Sequence, residues 1–170
     1  MPSTSLTRTP SSTGNRKTWT FSTWVKRSGF GSLGGQSKTL LRVGQNDQLR
    51  FDTSDRLDWY TNNATYRLVT NSVYRDASAW YHIVFTCDTT QGTASDRMKI
   101  YVNGQQVTSF STSNYPIQNF DTDVNNTTVT GIAYAPLTTD EWLYGSLAHT
   151  HLIDGTAYDA DTFGETDSTT

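Results

Sequence analysis

The sequence predicts an all-β protein, an antiparallel two-sheet β-sandwich. Three observations carry that prediction. Ser and Thr are abundant while Glu occurs only at Glu141 and Glu165, a bias toward strand formers and away from helix formers. Apolar residues recur with a period of two in short runs, as in Trp19, Phe21 and Val25, the pattern of a strand with one buried face. Gly, Asn, Asp and Ser separate the runs at close spacing, and these are turn residues. About ten short strands, with no helical period beyond a turn or two, make a sandwich or jelly roll.

A chain of 170 residues and 19.0 kDa is long enough for one domain with a real core. Hydrophobic residues are only 34%, but aromatics reach 12%, and each buries a large area. The net charge of −3 and the absence of a basic patch argue against nucleic acid as a partner. No apolar run approaches the ~20 residues of a membrane helix, so no membrane partner is expected. Residues 1–17 carry no apolar stretch of the secretory-signal kind. The single cysteine, Cys87, excludes an internal disulfide and is expected as a small buried core residue.

Taken in order, residues 1–16 are expected as a flexible or extended arm, alone or ordered against a neighbouring subunit. Lys17–Arg27 alternates as a strand, with Trp19, Phe21, Thr23 and Val25 on one face and Ser22, Trp24 and Lys26 among those on the other. Residues 28–38 form a Gly/Ser loop. Thr39–Gly44, Gln48–Asp52, Arg56–Tyr60 and Tyr66–Val69 read as short strands. Trp80–Asp88 and Met98–Val107 follow as a pair joined by a polar loop, and Asn103-Gly104 marks a tight turn. Ser109–Asn126 reads as irregular, Thr127–Tyr134 and Trp142–Ile153 as strands, and residues 156–170 as a polar tail packing on or leaving the sandwich, with Tyr158 and Phe163 as anchors. The expected buried residues are Trp19, Phe21, Val25, Leu41, Val43, Phe51 and Ile83, then Phe85, Ile100, Val102, Val129, Ile132, Leu147 and Ile153.

Several segments carry a family resemblance. Trp80-Tyr81-His82-Ile83-Val84, followed after a loop by Lys99-Ile100-Tyr101-Val102-Asn103-Gly104, resembles the central hairpin of the concanavalin A-like, or laminin G-like, jelly roll. The segments 5–12 (SLTRTPSS), 17–27 (KTWTFSTWVKR), 147–155 (LAHTHLIDG) and 163–167 (FGETD) resemble such domains in virion structural proteins of marine bacteriophages. The resemblance implies residues 17–155 as the sandwich. It also implies a non-enzymatic structural protein on the virion surface, assembling with other virion proteins and with its own copies. Capsid decoration and a fibre or appendage component both fit that expectation. The alternative it implies is a carbohydrate-binding adhesin for host surface glycans, with no cofactor or with calcium.

Glycoside hydrolases of this fold that resemble the laminarinase-type enzymes carry Glu-x-Asp-x-x-Glu on one strand, because retention needs two carboxylates ~5 Å apart. Glu141 and Glu165 stand in no such pattern, so no catalytic residue is expected. His82 and Cys87 lie an odd number of residues apart on one strand, on opposite faces. His149 and His151 share a face and are expected as ordinary strand or interface residues rather than a metal pair. Asp121, Asp123 and Asn125 alternate oxygen ligands as a calcium loop begins, but Asn126 and Ile132 occupy the positions an EF-hand gives to Gly and Glu. These residues read either as part of an irregular calcium site or as a solvated acidic loop. For sugar stacking the candidates are Trp24, Trp59, Tyr60 and Trp142, with Trp80 beside them and Asn62, Asn63, Asn103 and Asp140 as polar partners.

Overall fold

The computed structural model describes residues 5–138 and 141–164. Twelve strands are present among them: β1 Leu6–Arg8, β2 Thr18–Arg27, β3 Lys38–Val43, β4 Asp47–Phe51, β5 Arg56–Thr61, β6 Tyr66–Val73, β7 Trp80–Asp88, β8 Met98–Val102, β9 Gln105–Gln106, β10 Phe110–Asn114, β11 Thr130–Ile132 and β12 Gly145–Asp154. Every pairing between them is antiparallel. They form a seven-stranded sheet, β1-β11-β3-β4-β5-β6-β10, and a five-stranded sheet, β12-β2-β7-β8-β9. The only helical segments among the described residues are short 3-10 turns, and no helix is long and apolar enough to cross a membrane.

Alternation decides what lies between the sheets. Trp19, Phe21 and Val25 of β2, with Ile83 and Phe85 of β7, meet Leu49, Phe51, Leu57, Trp59 and Leu68 of the larger sheet. Trp59 is the hub: its ring lies 5.4 Å from Trp19 and 5.7 Å, edge-on, from Phe85. Such pairs add about 0.5–1.5 kcal/mol each beyond their buried area. Cys87 lies fully buried in this core, and burial pushes its thiol well above the usual range.

Several expected elements are corrected. Phe110–Asn114 is a strand on β6, inside the stretch read as irregular. It is mostly polar and sits at a sheet edge, so backbone pairing rather than an apolar face holds it. Leu6–Arg8, within the arm expected as flexible or extended, are extended and pair with β11 as the opposite edge. Trp142 precedes β12 and meets Tyr134 in an isolated bridge. Val102, Val129, Ile132, Leu147 and Ile153 are half-buried rather than buried, because they lie near sheet edges or strand ends. The Asn103-Gly104 turn has positive φ at both residues, 50° and 80°, as a tight primed turn requires.

The Gly/Ser loop at residues 28–38 is held by a buried ion pair. Arg27 and Asp55 meet at 2.7 Å with side chains 0% and 2% exposed. Arg27 also donates to Gly29 O, while Gly31 N–H donates to Asp55. The guanidinium sits 4.0 Å over the Phe51 ring, which supplies cation–π attraction where water is excluded.

Candidate functional site

Each sheet has a face turned away from the core, and the two differ. On the seven-stranded sheet, cross-strand register aligns Arg42, Gln48, Tyr60 and Arg67 in one row and Arg50 with Asp58 in the next. Asp58 is fully buried and accepts from Arg50 at 2.8 Å and from Arg67 at 2.8 and 2.9 Å. Its carboxylate raises the Arg67 pKa. Arg42 donates to Gln48 and to Tyr60 Oη. Burial pushes the Tyr60 phenol up. Gln48 reaches Glu141 Oε2 at 2.8 Å, and Glu141 faces Arg42 and Arg50 at 3.6 and 3.8 Å. The segment carrying Glu141 therefore closes over this face, stiffened by Trp142 stacked on Tyr134 at 4.1 Å.

The outer face of the five-stranded sheet is open. Register places Trp24 directly opposite His82, and their rings stack at 5.0 Å with a 16° tilt. His82 Nε2 lies 3.0 Å from Ser22 Oγ, and burial holds this imidazole below the ordinary histidine range. On the other side of β2, two residues of β12 oppose one between Ala148 and His151, with His149 at φ 48°. This bulge brings His149 and His151 both to the same cleft. The tail supplies the last wall. Thr20 Oγ1 donates to Thr156 O and accepts from Tyr158 N–H, so the tail crosses the sheet and sets Phe163 6.0 Å from His151 and 6.2 Å from His82. The result is a cleft of about 420 Å³ lined by all three histidines of the chain, with Trp24 36% exposed at its edge. One strand step beyond, Lys26 faces Trp80, which is 40% exposed.

The structure sorts the residues expected from sequence. Trp24 lies on an accessible face, 36% exposed. Trp59 is 1% exposed at the core centre and Tyr60 is 8% exposed inside the arginine network. Neither offers a ring face, and both leave the candidate set. Trp142 is half-buried against Tyr134, on the segment over the other sheet. Asn103 is committed to the β8–β9 turn, where it accepts the His82 N–H at 2.9 Å. Asn62 and Asn63 occupy the β5–β6 turn with φ 52° each. Asp140 and Glu165 lie outside the described residues.

The calcium set is not brought together. Asp123 accepts from Arg16 at 3.2 Å and from Asn46 at 2.7 Å, one partner for each carboxylate oxygen. The Asn125 amide donates to Asn15 O and Asp154. Asp121 is exposed on the same loop. Among the described residues no three His, Cys, Asp or Glu side chains gather to hold a metal. The loop instead pins residues 14–16 and caps the buried Asp47, which accepts from Asp123 N–H, Asn62 N–H and Thr61 Oγ1. Burial raises the Asp47 carboxyl to about 6.

A family model described as the concanavalin A-like lectin/glucanases superfamily matches residues 3–159. The chain belongs to this superfamily. Comparison with curated proteins returns no match. Among solved structures, a candidate carbohydrate binding protein from Bacteroides ovatus is similar at a TM-score of 0.64 and 13% identity, over 91% of this chain and 42% of that one. Domain 4 of a GH43 extracellular arabinanase from Geobacillus stearothermophilus, in complex with arabinotriose, is similar at 0.55 and 14%, over 85% and 64%. A heptameric SAP-like pentraxin from Limulus polyphemus is similar at 0.55 and 12%, over 86% and 68%. The superfamily domain thus spans less than half of the Bacteroides protein and about two thirds of the other two chains. At these identities the likeness is one of fold.

Proposed function

We propose that this superfamily domain is a non-enzymatic carbohydrate-binding module and that its glycan site is the cleft beside Trp24. The observation that carries the reading is an exposed indole, pre-stacked on His82, bordering a cleft lined with hydroxyl and imidazole groups. An indole face covers the apolar side of a sugar ring, and nearby hydroxyl and imidazole groups orient it. The family description and the carbohydrate-related Bacteroides and arabinanase structures support it. The carboxylates that a hydrolase would need speak against catalysis: Asp58 is held between two arginines, and Glu141 faces Arg42 and Arg50. The test is a glycan array with the wild-type protein and Trp24→Ala. Glycan binding lost in the variant is expected; an array silent for the wild type overturns the reading.

A second reading is the structural role on a particle surface, with capsid decoration and a fibre component as its two forms. Two features favour assembly. β1 and β12 are open edges of the two sheets, and an open edge offers unpaired backbone groups to a neighbouring strand. Leu6 and Leu152 are 67% and 38% exposed on these strands, beside a groove of about 630 Å³. The virion-surface location rests on the sequence resemblance. Quantitative mass spectrometry of purified phage particles tests it, and absence from particles overturns it.

A further inference from the structure

We infer that the Trp24 cleft takes an acidic sugar, with the pyranose ring on the indole and its carboxylate or sulfate group among the imidazoles of His82, His149 and His151. The inference rests on this cleft being the glycan site and names the class of glycan. Its basis is the inventory of hydrogen-bonding groups. Among the described residues no carboxylate and no carboxamide lines the cleft; its polar side chains are Ser22, Thr162, Trp24 and the three histidines. The Trp24 indole N–H can only donate, each imidazole carries at least one N–H, and the hydroxyls can turn to donate. A neutral pyranose brings a ring of hydroxyl hydrogens that need acceptors when desolvated. An anionic substituent brings oxygens that only accept, and a protonated imidazole, unlike a neutral one, only donates, so this lining suits an anion best when its imidazoles are charged.

The charges around the cleft point the same way. Lys26 stands next on the same face of β2. On the tail, Asp159 lines a separate hollow with Lys99 and Tyr101, and Asp161 is exposed on the turn; neither lines this cleft. On β12, Asp154 is tied to Asn15 and Asn125 at the far end of the strand. On β7, Asp88 is tied to Thr90 and Gln91, also at the strand end. Glu165 and Asp167 lie outside the described residues. Imidazole is the side chain that gains positive charge as pH falls through the range from about 7 to about 5. Carboxylate and sulfate groups keep their charge there, so attraction strengthens on acidification. Burial holds His82 below the ordinary histidine range.

The experiment is calorimetric titration with lactose, sialyllactose and sulfated lactose at about pH 7.5 and about pH 5.5, either side of the imidazole range. It runs beside an array of neutral and acidic glycans. At the lower pH, one or both acidic sugars are expected to bind about tenfold tighter than lactose, the scale of one charge-assisted hydrogen bond. The advantage shrinks at the higher pH. The two acidic arms separate carboxylate from sulfate recognition. The double variant His149→Asn/His151→Gln weakens the pH dependence while Trp24→Ala removes binding. Asn tolerates the positive φ at position 149, and if the double variant melts early, the wild-type pH profile alone decides. Equal binding of neutral and acidic sugars at both pH values overturns the inference and leaves the glycan reading standing. Array hits confined to neutral glycans do the same. An array silent for every glycan overturns both.

Discussion

On the outer face of the seven-stranded sheet the charged groups already have partners: Asp58 holds Arg50 and Arg67, and Glu141 meets Gln48, Arg42 and Arg50. On the outer face of the five-stranded sheet, Trp24, His149 and His151 border a cleft, and the one protein hydrogen bond to an imidazole ring there among the described residues joins His82 to Ser22. Both faces arise from the same alternation of strands buried on one side. What differs is what crosses them. The segment with Glu141 brings a carboxylate that completes an ion network, whereas the described part of the tail brings Phe163 beside His151, and Trp24 is 36% exposed. A satisfied polar network resists further desolvation, because a ligand would have to break bonds already made. Imidazole and hydroxyl groups beside an aromatic ring favour a ligand that supplies acceptors. Substitutions on the first face should therefore cost stability, and substitutions on the second should cost binding.

The largest effect is expected at Asp58. Asp58→Ala leaves two arginines without their shared carboxylate, and removing one partner of a buried pair costs about 3–5 kcal/mol. The side chains of Arg50 and Arg67 are 17% and 33% exposed and regain some hydration, so the lower end applies. That is a fall of roughly 6–12 °C in Tm for a chain of this size. Glycan binding at Trp24 should persist below the new Tm. A variant that melts with the wild type would show that the network does not hold this face.

Titration offers a sharper contrast. The folded-state Asp47 carboxyl is raised to about 6 from 3.8. As pH falls from about 7 to about 4, the native state takes its proton before the unfolded chain does, so acidification stabilises. The Tm of the wild type relative to Asp47→Asn should rise across that window. His82 is shifted down by burial, so the unfolded chain takes the proton first and acidification destabilises. The Tm of the wild type relative to His82→Gln should fall between about pH 7 and about pH 5. Thermal melts at a series of pH values read both. Parallel slopes for the two variants would contradict the assignment of opposite signs.

These effects were unevenly legible in the sequence. The β7–β8 pair is plain because both strands alternate apolar residues, and the turn after β8 is plain from its Asn103-Gly104 dipeptide. The outward direction of Trp24 followed from counting by twos from Trp19 and Phe21. The same count from Leu57 places Trp59 in the core and Tyr60 opposite it, as the structure has them. An inventory of aromatic residues alone kept both in the candidate set. β1 and β10 were hidden because Leu-Thr-Arg and Phe-Ser-Thr-Ser-Asn carry too little apolar alternation, and the signal for such edge strands is the partner's backbone. The histidine cleft was hidden for a tertiary reason. It needs the bulge before His151, set by register against β2, and Phe163, delivered by hydrogen bonds from Thr20 to the tail. No local pattern encodes either.

The smallest stability effect and the clearest separation of the faces are expected from one pair of tryptophans. Trp142→Ala removes the stack on Tyr134 that braces the Glu141 segment, and should cost about 1–2 kcal/mol, the stacking energy plus lost area. Trp24 is 36% exposed and stacks on His82 from outside the core, so Trp24→Ala should cost less, about 0.5–1 kcal/mol, a Tm change of about 1–4 °C. Binding should divide the other way, lost with Trp24 and kept with Trp142. Because the stability ranking and the binding ranking run opposite, one set of melts and one set of titrations on the same two proteins decides between the faces. If Trp142→Ala loses the glycan at unchanged Tm, the site belongs on the seven-stranded sheet and the network there is a ligand cradle rather than a seal.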